Sequence, residues 1–526
     1  MNKEAIIMEK EQKSTEVPQE QKAPRNVGRI VKTTLDSLPA GTDESIPDKD
    51  SKLVRSPLPE GVNSKMLYSD IIRIAGPSFL ELILTQLTSM ADQIMVGHLA
   101  GTAGVAALSA VGLSAQPKFL LMTMVQSLNI GATAMVARFR GQQNREKANQ
   151  TFRQSIVLNL VISAIMVILG LTFAAPLLRF MGGAGISDEA FGFAMDYFTI
   201  QMYGFIPLCM TFTTTAVLRG IGETRKPLMY NTIANVINVC FNYLLIYGKF
   251  GFPELGVAGA SLATVIGQTV AFFIALSCVL NKKNFVYLSF KEKFKFDFDI
   301  LRNVVSISIP SMIEQLFMRG GNIIFTRAVT SLGDISYATH QICMNIQAMS
   351  FMTGNAIANA STTLMGQSLG KKRYDMAEIY VRHTRRVSLV VSVCLGAIIC
   401  IFGRNIVGLY NDTPEIIALG GGILIALGLI QPIQSNQFVV AGSLRGAGDT
   451  KFTAKVTFIT VLLVRSGLAV LFINVLHVGL WGAWIALIID QCLRTCLILY
   501  RYNTGKWRFM KLRGQVTEKP VAKEAK

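Results

Sequence analysis

Twelve stretches of about twenty residues or more, each nearly free of charge, dominate the chain and constrain it more than any other feature. They run at 70–97, 104–132, 154–175, 191–217, 228–248, 256–280, 301–327, 335–362, 386–403, 415–442, 453–475 and 479–500. A bilayer core about 30 Å thick is crossed by about 20 apolar residues in a helix. Within it each backbone N–H and C=O must find a partner inside the protein, which leaves helices or closed barrels as the spanning forms. Stretches of this length fit the helix, so the chain is predicted to be an all-α membrane protein with twelve transmembrane helices. Only 16% of its residues are charged, against roughly 25% in soluble domains, which argues against a soluble enzyme.

The charge that remains is unevenly spread. Residues 1–65 hold 11 Lys/Arg and 11 Asp/Glu, with prolines at 18, 24, 39, 47, 57 and 59. Such a segment buries too little apolar surface to offset its ordering entropy, and it is predicted to be a disordered cytoplasmic tail. Lys and Arg stay on the cytoplasmic side of a membrane. Loops after even-numbered stretches carry Arg138, Arg140 and Arg145, then Arg219, Arg225 and Lys226, then Lys282 and Lys283, then Lys371, Lys372 and Arg373, then Arg445 and Lys451. The other loops offer little beyond Arg179, Lys249 and Arg404. Both termini are therefore expected in the cytoplasm, with the protein in the cell inner (plasma) membrane. The net charge of +18 reports this topology and contact with anionic lipid, not a nucleic-acid partner.

The chain also repeats itself. Pro77-Ser78-Phe79-Leu80-Glu81 returns as Pro310-Ser311-Met312-Ile313-Glu314 at an offset of 233. Gly141 and Ala148 return as Gly370 and Ala377 at 229; Leu218-Arg219-Gly220-Ile221-Gly222-Glu223-Thr224 returns as Leu444-Arg445-Gly446-Ala447-Gly448-Asp449-Thr450 at 226. Gly256, Gly259, Ala260 and Gln268 match Gly479, Gly482, Ala483 and Gln491 at 223. A smoothly drifting offset marks two six-helix lobes, at 66–280 and 301–504, joined by a cytoplasmic loop at 281–300 and followed by a basic tail at 505–526. Six is even, so the repeat is parallel, and transporters built this way place the substrate near the midplane.

A charged side chain at the bilayer centre costs from about 2.5 kcal/mol upward, so each one needs a reason. Glu81, Thr85, Thr88 and Asp92 are spaced to share one helix face, with the two carboxylates roughly 16 Å apart. Asn231, Asn235, Asn238 and Asn242 form a second stripe at the same spacing. Facing stripes would build a polar chamber in the first lobe. Glu314 follows Pro310 by four residues, where a proline permits a bend, with Arg319 as a local partner at poor helical spacing. Asp490 and Arg494 are placed to neutralise each other one turn apart. Arg465 has no local partner and is expected to line the second-lobe cavity. His340, with Gln341 and Asn345, is a candidate for the same lining, against the ordinary alternative of a packed histidine. Cys492 and Cys496 show helical spacing only, and no structural metal site, nucleophile elbow or phosphate-binding glycine loop appears, so no enzyme activity and no cofactor is expected.

The Leu-Arg-Gly-x-Gly-Glu/Asp-Thr motif in both halves, the Pro77 to Asp92 spacing, the run Asn235 to Gly248 and Gly256-Val-Ala-Gly-Ala together resemble the multidrug and toxic compound extrusion (MATE) family, over about residues 66–505. The resemblance implies a V-shaped, two-lobe, alternating-access antiporter that exports organic cations or other metabolites against H⁺ or Na⁺. It implies cation coupling at Asp92 with Asn238 and Asn242, the last being Asp in many relatives, and a possible Na⁺ there. For the NorM-like branch it implies a cation-binding Glu314, often paired with a tenth-span Asp where this chain has Gln434. Glu81, Thr85, Thr88, Asn235, His340 and Gln434 are the candidate cavity lining. The expected partners are a small amphiphilic or cationic substrate and membrane lipids, with the protein a monomer. The alternative is a lipid-linked oligosaccharide flippase of related fold. Its pyrophosphate would call for many cations in the cavity, and the intramembrane ones are few: Lys118, Arg319, Arg327 and Arg465.

Overall fold

A computed structural model describes residues 32–41, 56–98, 103–182, 187–289 and 296–510, and their regular structure is entirely helical. The long helices are α1 (Ser64–Gly97), α2 (Ala103–Gly141), α3 (Arg145–Thr172), α4 (Ala174–Gly182), α5 (Asp188–Tyr203), α6 (Phe205–Gly220), α7 (Arg225–Tyr247), α8 (Gly256–Leu280), α9 (Phe298–Thr330), α10 (Asp334–Gly370), α11 (Tyr374–Gly408), α12 (Pro414–Ala447), α13 (Thr450–Thr457) and α14 (Leu480–Asn503). To within a residue, eleven of the twelve predicted apolar stretches fall on one of them or on two in succession, and 453–475 begins on α13 and runs on through Val475.

Eight helical runs among the described residues are long and apolar enough to cross a membrane, where twelve spans were expected. The shortfall has a physical reason. The remaining stretches lie on α5–α6, α7, α9 and α10, and these carry the polar residues: four asparagines on α7, Glu314 and Arg319 on α9, His340 on α10. Polar residues lower the mean hydropathy of a helix without shortening it. The 191–217 stretch is broken at Gly204 between α5 and α6. The 453–475 stretch leaves α-helical geometry for wide π-turns at Phe458–Arg465 and Leu471–Val475.

The duplicated sequence makes duplicated contacts. Thr133 Oγ1 donates to Ala216 O at 3.0 Å, and Thr362 Oγ1 donates to Gly442 O at 2.8 Å, each pair displaced by the offsets of the sequence repeat. Gly141 and Gly370 meet the opposite half so closely that a Cβ on either would lie 2.0 Å from a carbonyl oxygen, Gln367 O and Arg138 O respectively. No side chain fits there. Further contacts between the halves sit at the same helix ends: Thr363 Oγ1 donates to Arg219 O at 2.9 Å and Gln367 Nε2 to Gly220 O at 3.1 Å. Apolar packing joins Leu67, Ile71 and Ile74 to Leu364 and Ile379, and Leu128 and Met135 to Val304 and Ile307. All of these residues lie toward the ends that carry the loop cations.

The tail expected to be disordered is in part ordered. Lys32–Gly41 forms a strap with a helical turn at Thr34–Ser37, and it bridges the two halves. Asp36 accepts from Arg140 Nη2 at 3.1 Å and from Gln143 Nε2 at 3.2 Å, while Lys371 Nζ donates to Leu35 O at 2.6 Å. Thr34 N donates to Asp70 Oδ2 at 2.8 Å, and Leu35 is buried. Composition missed this because a ten-residue stretch with one buried leucine is averaged away, and its partners lie far along the chain. The rest of that tail at 1–31 and 42–55, the loop at 290–295 and the basic tail from 511 lie outside the described residues. Within 281–289 the loop is packed, with Phe285 and Val286 buried, and Trp507 of the C-terminal segment stacks on Tyr502 at 5.7 Å. Asp36→Ala should free the strap. Loss of charge-assisted hydrogen bonds of about 1.5 kcal/mol corresponds to about tenfold more of the open form, so tryptic cleavage after Lys32 should accelerate about tenfold.

Candidate functional site

The two predicted polar stripes face each other. Asn242 Nδ2 donates to Asp92 Oδ1, joining α7 to α1. With its amide turned to satisfy both ends, Asn238 Nδ2 donates to the same carboxylate oxygen at 2.8 Å and its Oδ1 accepts from Thr264 Oγ1 of α8 at 3.2 Å. Asn238 and Asn242 are buried and Asp92 is half-buried. Asn242 Oδ1 has no hydrogen-bond partner. The Asp92 carboxyl is thus held by two neutral amides, and among the described residues no cation is paired with it. Lys118 of α2 is near enough to interact with Asp92 electrostatically, but its ammonium donates to Gln201 of α5.

Other members of the stripes divide. Asn231 Nδ2 donates to Glu81 Oε1 at 2.7 Å, while Asn235 Nδ2 is buried without a partner. Thr85 and Thr88 hydroxyls bond back to Glu81 O and Leu84 O at 2.9 Å each, the usual fate of a mid-helix threonine, and reach neither carboxylate.

Glu81 and Glu314 are not free acids. Arg219 Nη2 donates to Glu81 Oε2 at 2.8 Å, and Arg445 Nη2 donates to Glu314 Oε1 at 2.6 Å. Thr453 Oγ1 adds a bond to Glu314 Oε2 at 2.9 Å. The expected local partner, Arg319, instead stacks over Phe119 at 5.4 Å, because i to i+5 puts the two side chains on different faces of α9. The same motif reaches the helices a second time. Thr224 Oγ1 donates to Arg73 O at 3.3 Å, the carbonyl that Pro77 leaves without its helical donor, and Thr450 Oγ1 donates to Ile307 O at 3.0 Å, beside the one Pro310 leaves. Leu-Arg-Gly-x-Gly-Glu/Asp-Thr is thus a brace that grips a proline-containing helix by an acid and a carbonyl in each half. Arg219 and Arg445, read from the sequence as loop cations, reach across to the acids. Within each half the acid and the arginine are opposite in sign, and both recur in the repeat, which is the signal that pairs them.

Gln434 is buried in α12 with both amide atoms unpartnered, and lines a narrow crevice with Ser350, Gln431 and Phe438. His340 lies apart from it, among Phe325 and Trp484 at ring distances of 5.5 and 5.6 Å. Asp490 and Arg494 form the predicted buried ion pair. Among the described residues no cluster of His, Cys, Asp and Glu is arranged to hold a metal ion by three or more ligands.

The MatE family profile matches residues 77–244 and 310–471. The chain is 29% identical over 445 residues to a probable multidrug resistance protein NorM of Thermotoga maritima, covering 84% of this chain and 93% of that protein. It is likewise 29% identical over 441 residues to the uncharacterized transporter YisQ of Bacillus subtilis, covering 83% and 94%. Among solved structures it is similar to an outward-facing multidrug resistance MATE family transporter, with TM-score 0.77, 20% identity and coverage of 85% and 97%. A MATE structure in the straight conformation gives TM-score 0.76 at 21% identity over 85% of this chain and 98% of that one.

Proposed function

From the premise that the chain belongs to the MatE family, we propose that it exports small amphiphilic or cationic molecules across the inner membrane by alternating access, driven by H⁺ or Na⁺ entering at Asp92. Members of this family are transporters, not enzymes, and the NorM relatives support efflux of small molecules in general terms. The observation that carries the coupling reading is the Asp92 carboxyl held between Asn238 and Asn242, without a cation directly paired to it among the described residues.

Hard cations take oxygen ligands, and Asn242, whose amide nitrogen bonds Asp92, has in Oδ1 a carbonyl without a donor. Na⁺ would use that oxygen; a proton would need Asp92 alone. Asn242 cannot itself titrate. In the proposed cycle the cation neutralises Asp92 from the outside, α1 bends near Pro77, substrate leaves, and the halves rock about the contacts at their cytoplasmic ends. The parallel repeat of twelve helices, cytoplasmic termini and a monomeric protein complete this reading. Glu314, held by Arg445 and Thr453, enters it as an anchor of α9 and not as the coupling acid. Proteoliposome flux of a fluorescent organic cation, under separately imposed H⁺ and Na⁺ gradients, tests the proposal. Export should follow one of the two; flux indifferent to both would sink it.

A further inference from the structure

The second half contains a buried cation that no carboxylate pairs with among the described residues. Arg465, at the end of the first π-turn, is 4% exposed. Among the described residues its guanidinium makes no ion pair, and its buried Nε has no hydrogen-bond partner. It sits 4.2 Å from the Phe325 ring centroid. The charged groups that face it are Asp490 and Arg494 of α14, and Asp490 spends both oxygens on Arg494. Two guanidinium groups and one carboxylate leave one positive charge inside the protein. An isolated buried charge is among the costliest things a fold can hold.

Further unpartnered groups follow along the same run of rings. His340 is 2% exposed with Nδ1 unpartnered, and Trp484 is 1% exposed with its indole N–H unpartnered. His340 lies between the Phe325 and Trp484 rings, so a run of aromatic rings with two unpartnered ring nitrogens leads away from the guanidinium. The helix that carries Arg465 is widened by π-turns on both sides of Ser466–Val470, and such turns concentrate at functional sites. A planar guanidinium matches a carboxylate in shape and charge, and one net charge fits a monoanion, not a pyrophosphate. We propose that Arg465, with His340 and Trp484, forms a site in the second half for the carboxylate of a ligand whose aromatic or apolar body rests on Phe325 and Trp484.

The site is independent of the coupling reading at Asp92. It is tested on the detergent-purified full chain by the thermal unfolding midpoint in chloride-free HEPES, with benzoate as the probe. Neutral benzamide, cationic benzamidine and chloride serve as comparisons. Benzoate should raise the midpoint saturably, while benzamide and benzamidine at equal concentration should not. Arg465→Gln should weaken the benzoate half-saturation at least tenfold, Arg465→Lys less, and Asp92→Asn should leave it unchanged, so that failure here and failure at Asp92 read out separately. Equal effects of benzoate and benzamide, or no effect of benzoate, would overturn the proposal. So would an effect of chloride alone, which would mark an inorganic-anion site, or unaltered benzoate affinity in Arg465→Gln. If Arg465→Gln does not fold, the comparison of the four probes on the unaltered protein still decides.

Discussion

Replacing Asp92 by Asn should reduce gradient-driven export to the level of protein-free liposomes while leaving the purified protein folded. Asn has nearly the volume of Asp and keeps a carbonyl that can still accept from Asn242 and Asn238, so the α1–α7 contact survives in shape. What disappears is the charge, and with it the only group in that cluster able to bind a proton or to balance Na⁺. A cation that binds the folded state stabilises it by mass action, about 2.7 kcal/mol at a hundred times Kd. If Na⁺ is the coupling ion, added Na⁺ should therefore raise the thermal midpoint of the unaltered protein and leave that of Asp92→Asn flat. If the proton is the coupling ion, Na⁺ should move neither. Full transport by Asp92→Asn would remove Asp92 from the mechanism.

The sequence disclosed interactions within a helix and between helices whose polar faces are periodic. Asp490 and Arg494 were legible because one turn separates them, and the α1 and α7 stripes because a 4, 3, 4 spacing can only be one face. The stripes could be matched to each other because both were polar in otherwise apolar helices, and Asp92 meets Asn242 across 150 residues as that matching implies. The pairs Glu81–Arg219 and Glu314–Arg445 were not legible by the same logic, since no local spacing links residues 138 and 131 positions apart. The duplication held the missing signal. Both acids and both arginines are kept in two halves whose other residues have drifted, and an acid and a base kept together in hydrocarbon have most reason to be kept if they touch. The strap at 32–41 left no signal, because it is held by backbone groups, one aspartate and one buried leucine, too little apolar surface for hydropathy to register. The π-turns around Arg465 were equally silent, as apolar residues fill either helix geometry.

The pair in the second half separates the two roles available to Glu314. Were it a coupling acid, Glu314→Gln would abolish transport at little cost to stability. As an anchor held by Arg445 and Thr453, it should instead lose stability and keep transport. Its side chain is 8% exposed and that of Arg445 19%; breaking a buried pair by removing one partner costs about 3 kcal/mol at the lower end of the observed range, chiefly because the other charge is left behind. Glu314→Gln and Arg445→Gln should each lower the thermal midpoint by a comparable amount. The double variant removes both charges at once, so it should lie well above the sum of the two losses, with a coupling energy of at least about 1 kcal/mol. Thr450 should still hold Ile307 O in all three, so the proline-containing helix keeps one of its two grips and the proteins that fold should retain at least half of the export rate. Loss of transport in Glu314→Gln with an unchanged midpoint would return this residue to the coupling site. The reverse outcome would make the repeated motif a pair of hinges, in which a threonine and an arginine hold α1 and α9 beside the prolines that let them bend.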